Sequence, residues 1–172
     1  MRNYGKEWSS GLSAEDKRSV YEYTGMAYGN INRVLRGLED SFDPGNLENA
    51  RNIHRVLSQA EIPEDCVVYR GASEAALGIA RVLPDRLLVG RTITDDGFMS
   101  TSLDRGSAFG GKVLFEIDVP KGAAGAYVGD ISAAGQYERE VLFDKDQILI
   151  ITNVTRDEDG RRIIKAKMRD RR

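Results

Sequence analysis

Residues 113–119 read Val113-Leu114-Phe115-Glu116-Ile117-Asp118-Val119. Val113, Phe115, Ile117 and Val119 recur at every second position, the period of a strand with one face in a core. Toward the C-terminus, Gln147 to Thr155 is a further apolar, β-branched run. Asp157-Glu158-Asp159-Gly160 is a hairpin signal leading into Arg161 to Met168. In that last strand Ile164, Ala166 and Met168 share a face opposite Lys165, Lys167 and Arg169, the pattern of a charged edge strand. Toward the N-terminus, Arg91 to Ser102 is β-prone with an expected kink at Gly97. Cys66 to Tyr69 is a short apolar run closing on Arg70-Gly71, and Ser73 to Leu83 is expected to be helical.

The first third has a different period. Ser13 with Asp16 three residues on resembles a capping box. Val20, Tyr23, Ala27, Ile31, Leu35 and Leu38 then recur at steps of three and four, one helical stripe that Gly25 and Gly29 are expected to weaken or split. Asp43-Pro44-Gly45 is a turn, and a second helix is expected over Leu47 to Ala60, with Pro63 ending the region. Helices first, then strands without regular helical crossovers, argue α+β and against a doubly wound parallel sheet. The expected organisation is a single domain over 1–172, with a helical part over 1–62 and a mainly β part over 63–172.

Composition narrows the chemistry. The 172 residues are 41% hydrophobic with a formal net charge of −2, which does not favour nucleic acid or a membrane surface as partner. The single cysteine, Cys66, excludes an internal disulfide. The single histidine, His54, falls in an amphipathic pattern and reads as a helix-surface residue. Chemistry is therefore expected from carboxylates, arginines and hydroxyls. There is no G-x-G-x-x-G after a strand and no P-loop. Met1 to Leu12 is polar, so no Sec signal peptide is read there.

Three short pieces stand out. Arg70 before Gly71 can present a guanidinium to a phosphate with little obstruction. Ser100-Thr101-Ser102 offers hydroxyls on alternate sides of a strand. Glu138 and Glu140 flank Arg139 at the entry to a strand, so their side chains are expected on one face. Two such carboxylates repel, and they suit chemistry that develops positive charge. Taken singly, each piece has a plainer reading: a surface arginine, a β-prone turn, a solvated strand start.

In this order the three resemble the arginine–serine–glutamate class of mono-ADP-ribosyltransferases, the class of clostridial binary toxins and Rho-modifying exoenzymes. The resemblance implies that Arg70 holds the phosphates of NAD, that Ser100 supports the pocket and the catalytic glutamate, and that Glu140 is catalytic with Glu138 serving the acceptor. It extends to Tyr23, Tyr28, Asn32 and Arg36 on the N-terminal helix, to Gly71, Thr101 and Ser102, and to a phosphate–nicotinamide loop carrying Phe109 and Lys112. Gly97 stands where some binary toxins have asparagine. The loop Ser132 to Gln136 lacks the aromatic that many members use to dock protein substrates, and Tyr137 is the nearest substitute.

The implied fold is a helical part packed on two small, mostly antiparallel sheets with an NAD cleft between them. The implied reaction moves ADP-ribose from NAD, a substrate, to an arginine of a target protein, releasing nicotinamide and needing no metal. The implied setting is a toxin or effector secreted or delivered into a target cell and acting in its cytoplasm, with an immunity protein where its own host is at risk. An NAD glycohydrolase and a catalytically inactive binding module of the same fold share these residues. Nicotinamide release separates the second from both enzymes.

Overall fold

The computed structural model describes residues 1–108 and 110–169, with the side chains of Ile79 and Gln136 outside that description. Four helices lead: α1 Arg2–Ser10, α2 Ala14–Glu22, α3 Tyr28–Leu35 and α4 Pro44–Gln59. The strands are β1 Cys66–Ala72, β2 Thr92–Asp95, β3 Met99–Ser102, β4 Val113–Val119, β5 Gly125–Tyr127, β6 Glu140–Phe143, β7 Gln147–Arg156 and β8 Arg162–Met168, with a short helix α5 at Asp85–Leu88. The class is α+β, as the element order implies.

The helical part follows its local signals. Ser13 caps α2 by accepting from the Asp16 amide at 3.1 Å, and its hydroxyl donates to the Asp16 carboxylate at 2.8 Å. Around Gly25 the chain widens into a π-helical turn, Tyr23–Ala27, which separates α2 from α3. Val20, Tyr23 and Ile31 are buried with Ile53 and Leu57 of α4. Each fully buried aliphatic side chain of this kind contributes roughly 1.5–3 kcal/mol. Leu38 departs from the expected stripe: α3 ends at Leu35, Gly37 takes φ 67°, and Leu38 is 63% exposed. Helix α1 was not legible in its polar sequence. It packs through Gly5, where a Cβ would stand 2.6 Å from the Tyr127 ring.

Among the described residues the strands form one hydrogen-bonded order, β2-β7-β8-β4-β1-β3-β6-β5. The only parallel pair in it is β4 with β8. The expected two small sheets are recognisable as its two ends: five strands from β2 to β1 and three from β3 to β5, joined by the single pair Tyr69–Ser102. β8 is not an edge strand. It lies between β7 and β4, with Ile164, Ala166 and Met168 buried and Lys165 and Lys167 on the exposed face. The β-prone run 91–102 breaks near Gly97, as expected, into β2 and β3, which pair at different places in the order. The segment Glu74–Val82 is helical but 3-10, kinked at Gly78.

Strand β6 shows why the site sits where it does. Its residues Glu140-Val141-Leu142-Phe143 are all buried. Val141 and Phe143 face the core enclosed by the sheet with Val68, Met99 and Ile117, whereas Leu142 faces the helical core with Ile31 and Phe98. A strand packed on both sides has little freedom, so a carboxylate at its first residue is held firmly.

Candidate active site

The bend just before β6, the C-terminal end of β1 and Ser100 to Ser102 of β3 meet at one cleft. Arg70, Gly71, Ser100, Thr101, Ser102 and Glu138 line it, with Ser107 and Ala108 closing one side. The cleft itself holds only about 10 Å³, and Arg70 and Gly71 also border an open groove of about 710 Å³. Ordinary small-molecule sites occupy roughly 300–1,000 Å³. The cleft alone is small for a dinucleotide; cleft and groove together are not.

Glu140 is 4% exposed. Ser100 donates to its Oε1 at 2.5 Å and Ser132 donates to its Oε2 at 2.9 Å. Burial pushes the Glu140 carboxyl above its usual range; the two hydroxyls oppose this, and nearby Glu138 adds to it. Each oxygen thus has a partner, and the group is oriented without being neutralised by a cation. Thr101 is used differently, donating to the Val141 carbonyl at 2.8 Å and so fastening β3 to β6.

Glu138 does not share a strand face with Glu140. β6 begins at Glu140, and Arg139 takes φ 47°, a left-handed conformation that costs a non-glycine residue on the order of 1 kcal/mol or more. That turn ends the two-residue alternation, and Glu138 is brought to the cleft half-buried by a bend.

Arg70 points into the junction of cleft and groove. Its Nη1 lies 3.0 Å from Asp95 Oδ2, at an angle that makes no hydrogen bond, so a buried donor is left unsatisfied. Arg36 makes a two-pronged pair with the same carboxylate, at 2.9 and 3.1 Å. Asp95 ends β2, at the far edge of the sheet order from β1, so the sheet curls to bring them together. A buried unsatisfied donor is costly, and an anionic oxygen is the partner that a guanidinium favours.

Asn32 and Tyr23 lie beneath this site. The Asn32 amide donates to Tyr23 Oη at 2.9 Å and to the Phe98 carbonyl at 3.2 Å, and its Oδ1 accepts from the Phe98 amide at 2.9 Å. These bonds fix the start of β3. They also explain Gly97, where a Cβ would stand 2.7 Å from Asn32 Oδ1. Tyr28 and Lys112 are exposed and border neither cleft nor groove, and Phe109 lies outside the described residues. Residues 2–170 match the model of the ADP-ribosyltransferase exoenzyme family.

The chain belongs to the ADP-ribosyltransferase exoenzyme family.

Among relatives of this chain is the epidermal cell differentiation inhibitor of Staphylococcus aureus, 26% identical over 88% of this chain and 72% of its own length. Mono-ADP-ribosyltransferase C3 of a Clostridium botulinum C phage is 26% identical over 95% of this chain and 76% of its own. The NAD(+)–arginine ADP-ribosyltransferase EFV of Enterococcus faecalis is 25% identical over 85% of this chain, which spans only 30% of that protein. Plx2a, an ADP-ribosyltransferase toxin from Paenibacillus larvae, superposes with a TM-score of 0.86 at 24% identity, covering 98% of this chain and 92% of its own. C3stau2 from S. aureus, solved with NAD, superposes at 0.81 and 22% identity, covering 99% and 94%. At those identities the two structures establish the shared fold.

Two residues of this candidate site escaped the sequence reading. Ser132, the second hydroxyl on Glu140, sits in a loop of small residues where a serine carries no signal. Asp95 belongs to the β-prone run Arg91 to Ser102, just before its kink at Gly97, where an aspartate carries no signal. His54, read as a surface residue, lies on α4 half exposed and is paired to buried Asp144 at 2.8 Å. Tyr137 is 93% exposed, next to Glu138. Among the described residues no helix is long and apolar enough to cross a membrane.

Proposed function

We propose that the chain transfers ADP-ribose from NAD to an arginine side chain of a target protein. One observation carries the reading: a half-buried carboxylate, Glu138, and an unsatisfied guanidinium donor, Arg70, line one cleft, and Ser100 in its wall braces the buried Glu140 carboxylate behind it together with Ser132. The donor set fits NAD. Arg70, with Arg36 beside it, would take the diphosphate, and the groove would take the adenosine half. Nicotinamide and its ribose would then lie in the cleft by Ser100 and Glu140.

Breaking the glycosidic bond sends its electron pair onto nicotinamide and leaves positive charge on the ribose. Glu140 is placed to stabilise that charge, and its buried setting makes the stabilisation stronger than in water. The guanidinium of an acceptor arginine then forms the new carbon–nitrogen bond and gives up one proton. Arginine is protonated at physiological pH and is a poor nucleophile until a base approaches. The Glu138 carboxylate, which has no hydrogen bond or ion pair among the described residues, is available to orient it and accept the proton. Tyr137 stands where a target protein would first touch the catalytic loop. In the same proposal the chain acts in the cytoplasm of a target cell.

The test is incubation with labelled NAD and either agmatine, a small guanidino amine, or a cell lysate. Guanidino-linked ADP-ribose with released nicotinamide supports the reading. NAD cleavage with water as sole acceptor would leave a glycohydrolase, and no cleavage would leave an inactive binding module.

A further inference from the structure

The outer hydroxyls of the Ser-Thr-Ser run are set on the same diagonal. Ser100 pairs in register with Leu142 and reaches back two residues to the Glu140 carboxylate. Ser102 pairs with Glu140 and likewise reaches back two residues, but what it meets there is main chain: it donates to the Glu138 carbonyl at 2.6 Å. Ser102 is buried and also accepts from the Asp104 amide at 3.0 Å, so its single donor and one of its lone pairs are committed. The next amide, Leu103, donates to the Arg139 carbonyl at 3.1 Å. Past Glu140 the β3–β6 ladder ends, Arg139 turns through its left-handed conformation, and no strand pairing holds Glu138.

We infer that Ser102 is a positioning residue for Glu138, and that the Ser102 latch with the left-handed Arg139 sets the choice between arginine and water as acceptor. The motif thus divides its labour. Ser100 serves the carboxylate that cleaves NAD, and Ser102 serves the backbone that aims the carboxylate receiving the acceptor. The inference rests on the arginine-transfer reading. A carboxylate misaimed by about 1 Å can lose on the order of a hundredfold in rate, whereas water reaches a cationic ribose from many directions and depends less on that aim.

The experiment measures two initial rates on each purified variant: nicotinamide release from NAD alone, and ADP-ribosyl-agmatine formation. Ser102→Ala is expected to lower transfer about tenfold more than hydrolysis, Ser102→Thr to recover much of the ratio, and Ser100→Ala to lower both rates together. Should Ser102→Ala fold poorly by its melting temperature, exposed Arg139 gives an independent route. Arg139→Gly, which accepts a positive φ, is expected to keep the transfer-to-hydrolysis ratio, and Arg139→Val, which resists it, to lower the ratio. Equal loss of both rates in Ser102→Ala, or equal ratios in the two Arg139 variants, overturns the inference and leaves the arginine reading standing. A wild type that cleaves NAD but never modifies agmatine overturns the arginine reading and the inference with it.

Discussion

Glu138 and Glu140 are two residues apart, and their surroundings share almost nothing. Glu140 opens a strand packed on both faces, is nearly inaccessible, and has a serine on each oxygen. Glu138 precedes a left-handed residue, is half-buried, and is held through its main chain alone. A buried carboxylate fixed at both oxygens cannot follow an incoming group; it can only present charge to something already seated. A half-exposed one can meet a partner that arrives from solvent. The contrast teaches that the two positions suit different partners, which in the proposed function are NAD for Glu140 and the acceptor for Glu138.

The most severe test is at Glu140. Glu140→Gln keeps the shape and removes the charge, and nicotinamide release is expected to fall by a hundredfold or more, with transfer falling alongside. A near wild-type rate would detach Glu140 from the cleavage step and erase the contrast. Next comes Glu138→Gln. Labelling of agmatine is expected to drop on the order of a hundredfold while most NAD hydrolysis survives, because only the acceptor's proton loses its base. Equal loss of both reactions would place Glu138 in the cleavage step beside Glu140.

A smaller effect is expected on the binding side. Arg70→Ala removes the unsatisfied guanidinium donor, and a hydrogen bond to a charged group is worth about 1.5–3 kcal/mol. NAD affinity, read by calorimetry on folded protein, should therefore weaken by about ten- to a hundredfold. Arg70→Lys should recover part of the loss, since lysine supplies the charge without the planar fork. Unchanged affinity in Arg70→Ala would mean that both carboxylates work on a substrate held elsewhere.

How far the sequence reached can be read from these same residues. The Ser100–Glu140 pair was legible because the family that the three ordered motifs resemble implies it. The helical stripe through Val20, Tyr23 and Ile31 was legible because burial follows the helical period. Glu138 was misjudged in one respect: alternation assumes that Arg139 is extended, and nothing local announces a left-handed arginine. β8 was expected at an edge, since lysines alternating with apolar residues look the same on an edge strand and on the outer face of an interior one. Only the long-range parallel pairing with β4 decides, and it has no local code. Asp95 and Ser132 reach the site through sheet curl and a loop, both set by tertiary packing.

The mildest expected effect concerns stability and tests the contrast without any substrate. Burial raises the Glu140 carboxyl above its ordinary value, against the opposing pull of Ser100 and Ser132 and with added push from Glu138. The folded protein therefore holds this proton more tightly than the unfolded chain. In such a case the stability contribution is fullest below the unfolded value and is lost as pH climbs through the raised folded value. Above that value the charge of the desolvated carboxylate is a burden on the fold, which glutamine removes. Glu140→Gln is expected to melt above wild type at pH 7, with the gap narrowing as the pH falls into the ordinary carboxylate range. For a domain of this size each kcal/mol moves the midpoint by about 2–4 °C, so calorimetry at several pH values can read it. Glu138→Gln, with less burial to relieve, should move less. If Glu140→Gln melts no higher at neutral pH, or its advantage grows toward acid, then the surroundings of Glu140 do not disfavour its charge. The two carboxylates would then differ in exposure alone, and the assignment of separate tasks would have to rest on the kinetics.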